Sequence, residues 1–176
     1  MRPAAVPAGM VRRPALPKVA RRVIDHAAAL VLDAAGIAAL IPHRGTMCLL
    51  DGLLAWDDVQ IRCRASGHRA SDHPLRTAHG LLSTAAIEYA AQAMALHGGL
   101  LAQSAGRRAT PGFLASARAV TLHRLRLDDL SGPLLVRAQR QAGDERQILY
   151  LFQVEHGGVP VVDGRAAVVL NTPLRR

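Results

Sequence analysis

Aromatic side chains make up only 3% of this 176-residue chain, with two Phe, two Tyr and one Trp. Half of the residues are hydrophobic, so Ala, Leu and Val must do the packing. Cysteine is also scarce. Cys48 and Cys63 form no CxxC and no Cys/His zinc spacing, so no metal is expected. Both read as buried free thiols, compatible with a reducing cytoplasm. Acidic residues are absent from residues 1–22, which hold Arg2, Arg12, Arg13, Lys18, Arg21 and Arg22. These six charges account for most of the net +9, so the basic character belongs to a tail and argues little for nucleic acid. A clean apolar signal core is missing too, and no secretory signal is read.

Long uninterrupted apolar runs are nearly absent. Residues 27–41 are short and broken by Asp33 and Gly36. Leu81–Ala102 is long enough to cross a bilayer, but Glu88, Gln92, His97 and the Gly98-Gly99 pair mark a buried helix of a soluble domain. No membrane insertion is expected. The Pro-rich residues 1–22 read as a disordered basic extension, and residues 23–176 as one domain.

Within that domain a short helix is expected from about Asp33 to Leu40, ended by Pro42. Residues 46–56 read as a first strand with a possible bulge at Gly52. Val59 to Ala65 alternate apolar and polar, as in a half-buried antiparallel strand. Residues 66–80 form a polar loop leading into the buried helix, with Ser83 or Thr84 as its N-cap. Four further strands are read at 113–127, 134–142, 147–155 and 159–170, separated by Asp, Gly and Pro turns. The order predicts an α+β fold: one long central helix wrapped by a curved antiparallel sheet of five or six strands, the hotdog architecture.

Glu88 is the only charge between Leu81 and Ala102. A carboxylate in such a helix is costly to bury unless it is paired or has a function. Gln92 lies one turn further along the same face. His68, His73 and His79 lie just upstream. An acid near several imidazoles is a candidate acid/base site.

Two segments carry a family resemblance. Ile41-Pro42-His43-Arg44-Gly45-Thr46-Met47-Cys48-Leu49-Leu50-Asp51 resembles the opening of FabA/FabZ-type 3-hydroxyacyl-[acyl-carrier-protein] dehydratases. Ile87-Glu88-Tyr89-Ala90-Ala91-Gln92-Ala93 resembles the acid motif on that family's central helix. The stretch from His73 to Gly98 is similar to the divergent ApeP-like branch, associated with aryl-polyene and other fatty-acid-like pathways. The resemblance implies dehydration of 3-hydroxyacyl-ACP to trans-2-enoyl-ACP, with Glu88 as acid and His73 as base. It implies Gln92, His79, Gly80 and Ser83 as substrate-binding residues. No metal or organic cofactor is implied, since the substrate rides on the phosphopantetheine of an acyl carrier protein.

The family's loop motif would put the base at Pro74, and His73 is one residue earlier, so His79 and His68 stay open as bases. His43 reads as structural, bridging the first helix and the sheet. His97, His123 and His156 read as helix-end, strand-surface and turn residues, and Tyr89 as core or interface. Arg107, Arg108, Arg118, Arg124 and Arg126 read as a solvated face able to dock an acidic carrier. A homodimer or a heterodimer with a related hotdog subunit would cover the open sheet edge. Two other functions fit the same fold: a non-catalytic subunit that supports an active dehydratase, and an acyl thioesterase.

Overall fold

The computed structural model describes residues 30–171. The extension read at 1–22 lies outside them. A seven-stranded antiparallel sheet wraps one long helix, as expected, with one or two more strands than the sequence suggested. The extra strand is β1 (Leu32–Asp33), too short to leave a periodic signal, which pairs with β2 (Gly52–Trp56). The sheet continues through β3 (Gln60–Ala65), β5 (Leu134–Gly143), β6 (Gln147–His156), β7 (Val159–Leu170) and β4 (Gly112–Leu122), in that order. Among the described residues, β4 is the long strand at the end of the sheet.

α1 (Ala34–Leu40) forms where expected, and the Asp33 carboxylate caps it by accepting from Gly36 N–H at 2.9 Å. The first strand is shorter than the reading of 46–56. Gly45–Met47 forms a 3-10 turn, and Leu49 N–H bonds to a side chain rather than a strand neighbour. The bulge falls between Leu53 and Ala55 rather than at Gly52.

The central helix, α2, runs from Ala86 to Ser104. Tyr89, Ala90, Ala93, Met94, Leu96 and Leu100 are buried on it, packed in the same core as Ile61 and Cys63 of β3, Val136 of β5 and Phe152 of β6. Full burial of each large side chain contributes about 1.5–3 kcal/mol. Helix α1 crosses α2 at Gly99, where a Cβ would sit 3.1 Å from the Leu40 carbonyl. That close crossing fixes where the chain leaving α1 emerges. His97 is fully buried rather than a helix-end residue. Its ring joins the Asp57 carbonyl (2.8 Å) and the Tyr150 hydroxyl (3.1 Å).

The strand expected at 113–127 stops at Leu122. Its register shifts between Arg118 and Thr121, where Ala119 adopts φ +49°. Residues 123–127 then leave the sheet and brace the approach to α2. Ser83 N–H bonds to Leu125 O, and Leu127 N–H to Leu81 O. Leu125 is 81% exposed, because the alternation there no longer faces a core.

Candidate active site

Pro42 ends α1; of the next two residues, His43 reaches the central helix and Arg44 turns back onto α1. The Arg44 guanidinium donates to the Ala38, Ile41 and His43 carbonyls (3.1, 2.5 and 2.7 Å), satisfying acceptors left open at the helix end. Cys48 Sγ donates to His43 O at 3.2 Å. With its carbonyl held by Arg44 and Cys48, His43 puts its Nε2 2.9 Å from Glu88 Oε1.

Glu88 lies in the first turn of α2, where a negative charge meets the positive end of the helix dipole. Gln92, one turn on, donates to the same carboxylate oxygen at 3.0 Å. Its amide also donates to Met47 O (2.7 Å) and accepts from Leu49 N–H (2.9 Å). One buried side chain thus ties the 47–49 segment to α2 and orients the acid. The pair itself is not enclosed: the His43 and Glu88 side chains are 25% and 31% exposed. His43 Nδ1 is buried without a partner.

His73 does not meet Glu88. Its Nδ1 accepts from Leu75 N–H at 3.2 Å, and its Nε2 lies 2.8 Å from the Tyr89 hydroxyl. The two rings stack with centroids 6.0 Å apart. Burial, with His68 and Arg76 nearby, lowers the His73 pKa against the opposing pull of Asp72. Burial likewise pushes the Tyr89 phenol up, with Asp51 adding to it. Thr46, Cys48, Leu49, Asp72, His73 and Tyr89 are among the residues lining a cleft of about 170 Å³. Tyr89 forms part of the cleft wall, whereas Glu88 and His43 do not line it.

The other expected site residues lie apart from this pair. His68 is fully buried, with Nε2 on Leu130 O at 3.0 Å, and burial lowers its pKa. His79 is exposed on a turn closed by Thr77 and Gly80. Gly80, at φ +95°, packs against Arg126 and Asp128. Neither Ser83 nor Thr84 caps α2. Both fall in a 3-10 turn (Ser83–Ala85), Ala85 takes the cap position, and the buried Ser83 Oγ has no partner.

Two groups take places that the sequence does not foretell. His43, expected to bridge the first helix and the sheet, meets Glu88 on α2 instead. Asp128 falls between strands, where the sequence suggests a turn, yet its carboxylate is only 3% exposed and binds Arg126 (2.7 Å) and Arg76 (2.9 Å). Hydrogen bonding from Arg126, helped by Leu81 N–H and both guanidinium charges, lowers its pKa to about 2. It anchors the loop that enters α2. Among the described residues no group of three or more His, Cys, Asp or Glu is placed to hold a metal ion. No helix among them is long and apolar enough to cross a membrane.

Comparison with known proteins adds a family and a fold. The ApeP-like profile, described as ApeP dehydratase, matches residues 35–174. No curated protein matches. Among solved structures, the dehydratase heterocomplex ApeI:P from Xenorhabdus doucetiae is similar at 22% identity and TM-score 0.70, over 77% of this chain and 91% of that one. A mutant thioesterase from Staphylococcus aureus is similar at 11% identity and TM-score 0.52, over 69% and 93%. At such identities both likenesses speak for the hotdog fold alone.

Proposed function

Because this chain belongs to the ApeP-like dehydratase family, we propose that it converts 3-hydroxyacyl-ACP to trans-2-enoyl-ACP, with His43 and Glu88 as the proton-transfer pair. The observation that carries this reading is the Glu88 carboxylate held between His43 Nε2 at 2.9 Å and Gln92 Nε2 at 3.0 Å. Dehydration needs a proton removed from C2 and a proton given to the C3 hydroxyl. At rest the pair shares one proton. It takes up the C2 proton, the C2–C3 double bond forms as the C3–O bond breaks, and Glu88 returns a proton to the departing hydroxyl as water. The pair ends as it began. Fatty-acid-like or aryl-polyene-type synthesis in the cytoplasm is the pathway class such a substrate fits.

A carrier protein and a second hotdog subunit complete the proposal. The pair is a quarter to a third exposed, and reaction of a thioester calls for exclusion of water. Among the described residues β4 ends the sheet and exposes Phe113 and Leu122, a surface suited to a partner. The solved relative from Xenorhabdus is a heterocomplex, which supports a related but different subunit over a second copy. Arg107, Arg108, Arg118 and Arg124 are exposed and suit an acidic carrier, whereas Arg126 is committed to Asp128.

A second reading, a non-catalytic supporting subunit, is favoured by one observation: both ring nitrogens of His73, the family's expected base, are hydrogen-bonded. Turnover of a 3-hydroxyacyl carrier substrate, followed by mass spectrometry, separates the two. Glu88→Gln in this chain should lower turnover by 100-fold or more, in the range general acid–base catalysis contributes. Unchanged turnover in that variant, with activity traced to the partner, would establish the supporting role instead.

A further inference from the structure

The Tyr89 hydroxyl is half used. Leu75 N–H donates to His73 Nδ1, so in the neutral ring the proton sits on Nε2. That proton is donated to Tyr89 Oη at 2.8 Å, which makes the tyrosine oxygen an acceptor. The tyrosine's own O–H must then point elsewhere, and His73 is the only partner of its hydroxyl in the described structure. Tyr89 is closed to bulk water and yet forms part of the cleft wall. A buried donor without an acceptor is destabilising unless something supplies one.

We propose that the Tyr89 O–H, oriented by His73, is the donor that receives a neutral carbonyl group in this cleft: the thioester or amide carbonyl of an acyl-pantetheine arm. This deepens the reading of the chain as a carrier-linked dehydratase and rests on it for the identity of the arm. The cleft discriminates against anions, because Asp72 lines it and the neutral His73 brings no positive charge. Its volume of about 170 Å³ is below that of a whole-ligand pocket, roughly 300–1,000 Å³, and suits one segment of a thin arm. Apolar Leu49 and Pro74 and the Cys48 thiol complete a lining fit for a methylene chain with one carbonyl to satisfy.

In this scheme Tyr89 touches substrate and His73 is a positioning residue. The position differs from the Glu88 pair in function, since it binds and polarises rather than moving a proton.

The test uses the full chain in the assembly it forms in its own cells. The probe is an acyl-pantetheine in which an amide replaces the thioester, titrated by calorimetry. Tyr89→Phe removes one oxygen and leaves the ring packing. We expect it to weaken probe binding about tenfold and to lower kcat/KM for the matching thioester by about 100- to 1,000-fold, the range seen for single oxyanion donors. His73→Leu should lose most of that affinity, and His73→Gln, which can still accept and donate, should recover part of it. A merely structural role would lower the melting temperature of these variants without changing probe affinity. Equal probe binding by wild type and Tyr89→Phe overturns the proposal, as does failure of the wild type to bind the probe. Probe binding that depends on Tyr89 in an assembly that never dehydrates substrate upholds this inference while the dehydratase reading fails.

Discussion

Gln92 offers the most quantitative check on the site's architecture. Replacing it with Met keeps length and approximate volume but removes the amide. Leu49 N–H, buried and bonded to Oε1 at 2.9 Å, would be left without a partner. Such an orphan costs about 1–3 kcal/mol. Met47 O, bonded at 2.7 Å and partly exposed, can regain water, so its loss is nearer the net value of about 0.5–1.5 kcal/mol. Glu88 is exposed enough to rehydrate and adds little. The expected destabilisation is about 2–4 kcal/mol, or roughly 5–15 °C in Tm for a domain of this size. Urea unfolding followed by circular dichroism would show a lower midpoint at unchanged m. Loss of less than about 1 kcal/mol would refute the view that one amide ties the 47–49 segment to α2. Gln92→Glu divides the contributions, because it keeps the acceptor for Leu49 but loses both donors and sets a second carboxylate one turn from Glu88.

Two further outcomes follow from burial and backbone geometry. His68, His73 and His97 all have pKa values lowered first by burial. The unfolded chain therefore binds more protons below about pH 6.5, and stability should fall as pH drops through that value toward the folded ones. Urea midpoints should be lower at pH 5.5 than at 7.5, and a flat or opposite trend contradicts this. The lowered carboxylates Asp57, Asp128 and Asp144 titrate below that window and do not confuse it. Gly80→Ala places a methyl group at φ +95°, against the Arg126 guanidinium and 2.7 Å from Asp128 Oδ2, and should cost about 1–3 kcal/mol. Gly106→Ala, at φ +64° with nothing within 4 Å, should cost only the backbone share, about 1 kcal/mol. Thermal melts that rank the two in reverse order would show that the Asp128 clamp is loose.

Much of the fold is legible in the sequence because its signals are local. Pro42 ends α1, the alternation from Val59 to Ala65 becomes β3, and turn residues separate β5, β6 and β7. The α2 entry was harder to read. Ser83 and Thr84 have the chemistry of caps, but Leu125 and Leu127, more than 40 residues away, draw this segment into a 3-10 turn. The same long-range contacts end β4 early, although the Val120–Leu127 alternation continues without a break. In the site, Glu88 and Gln92 could be recognised together because helix periodicity places them one turn apart. His43 could not be tied to Glu88 by any sequence spacing. Their meeting depends on Gly99 letting α1 cross α2 closely and on Arg44 holding the turn that follows. The family resemblance points instead to His73, whose ring nitrogens are already taken by Leu75 and Tyr89.

The central claim is that Glu88 works with His43. A double-mutant cycle on turnover of a 3-hydroxyacyl carrier substrate tests it most directly, using His43→Asn, Glu88→Gln and both together. If the two act as one unit, each single variant should lose most activity and the double variant should be little worse than either. Wild-type turnover in His43→Asn, with activity abolished instead by His73→Gln, would contradict the account and return the proton transfer to the loop histidine.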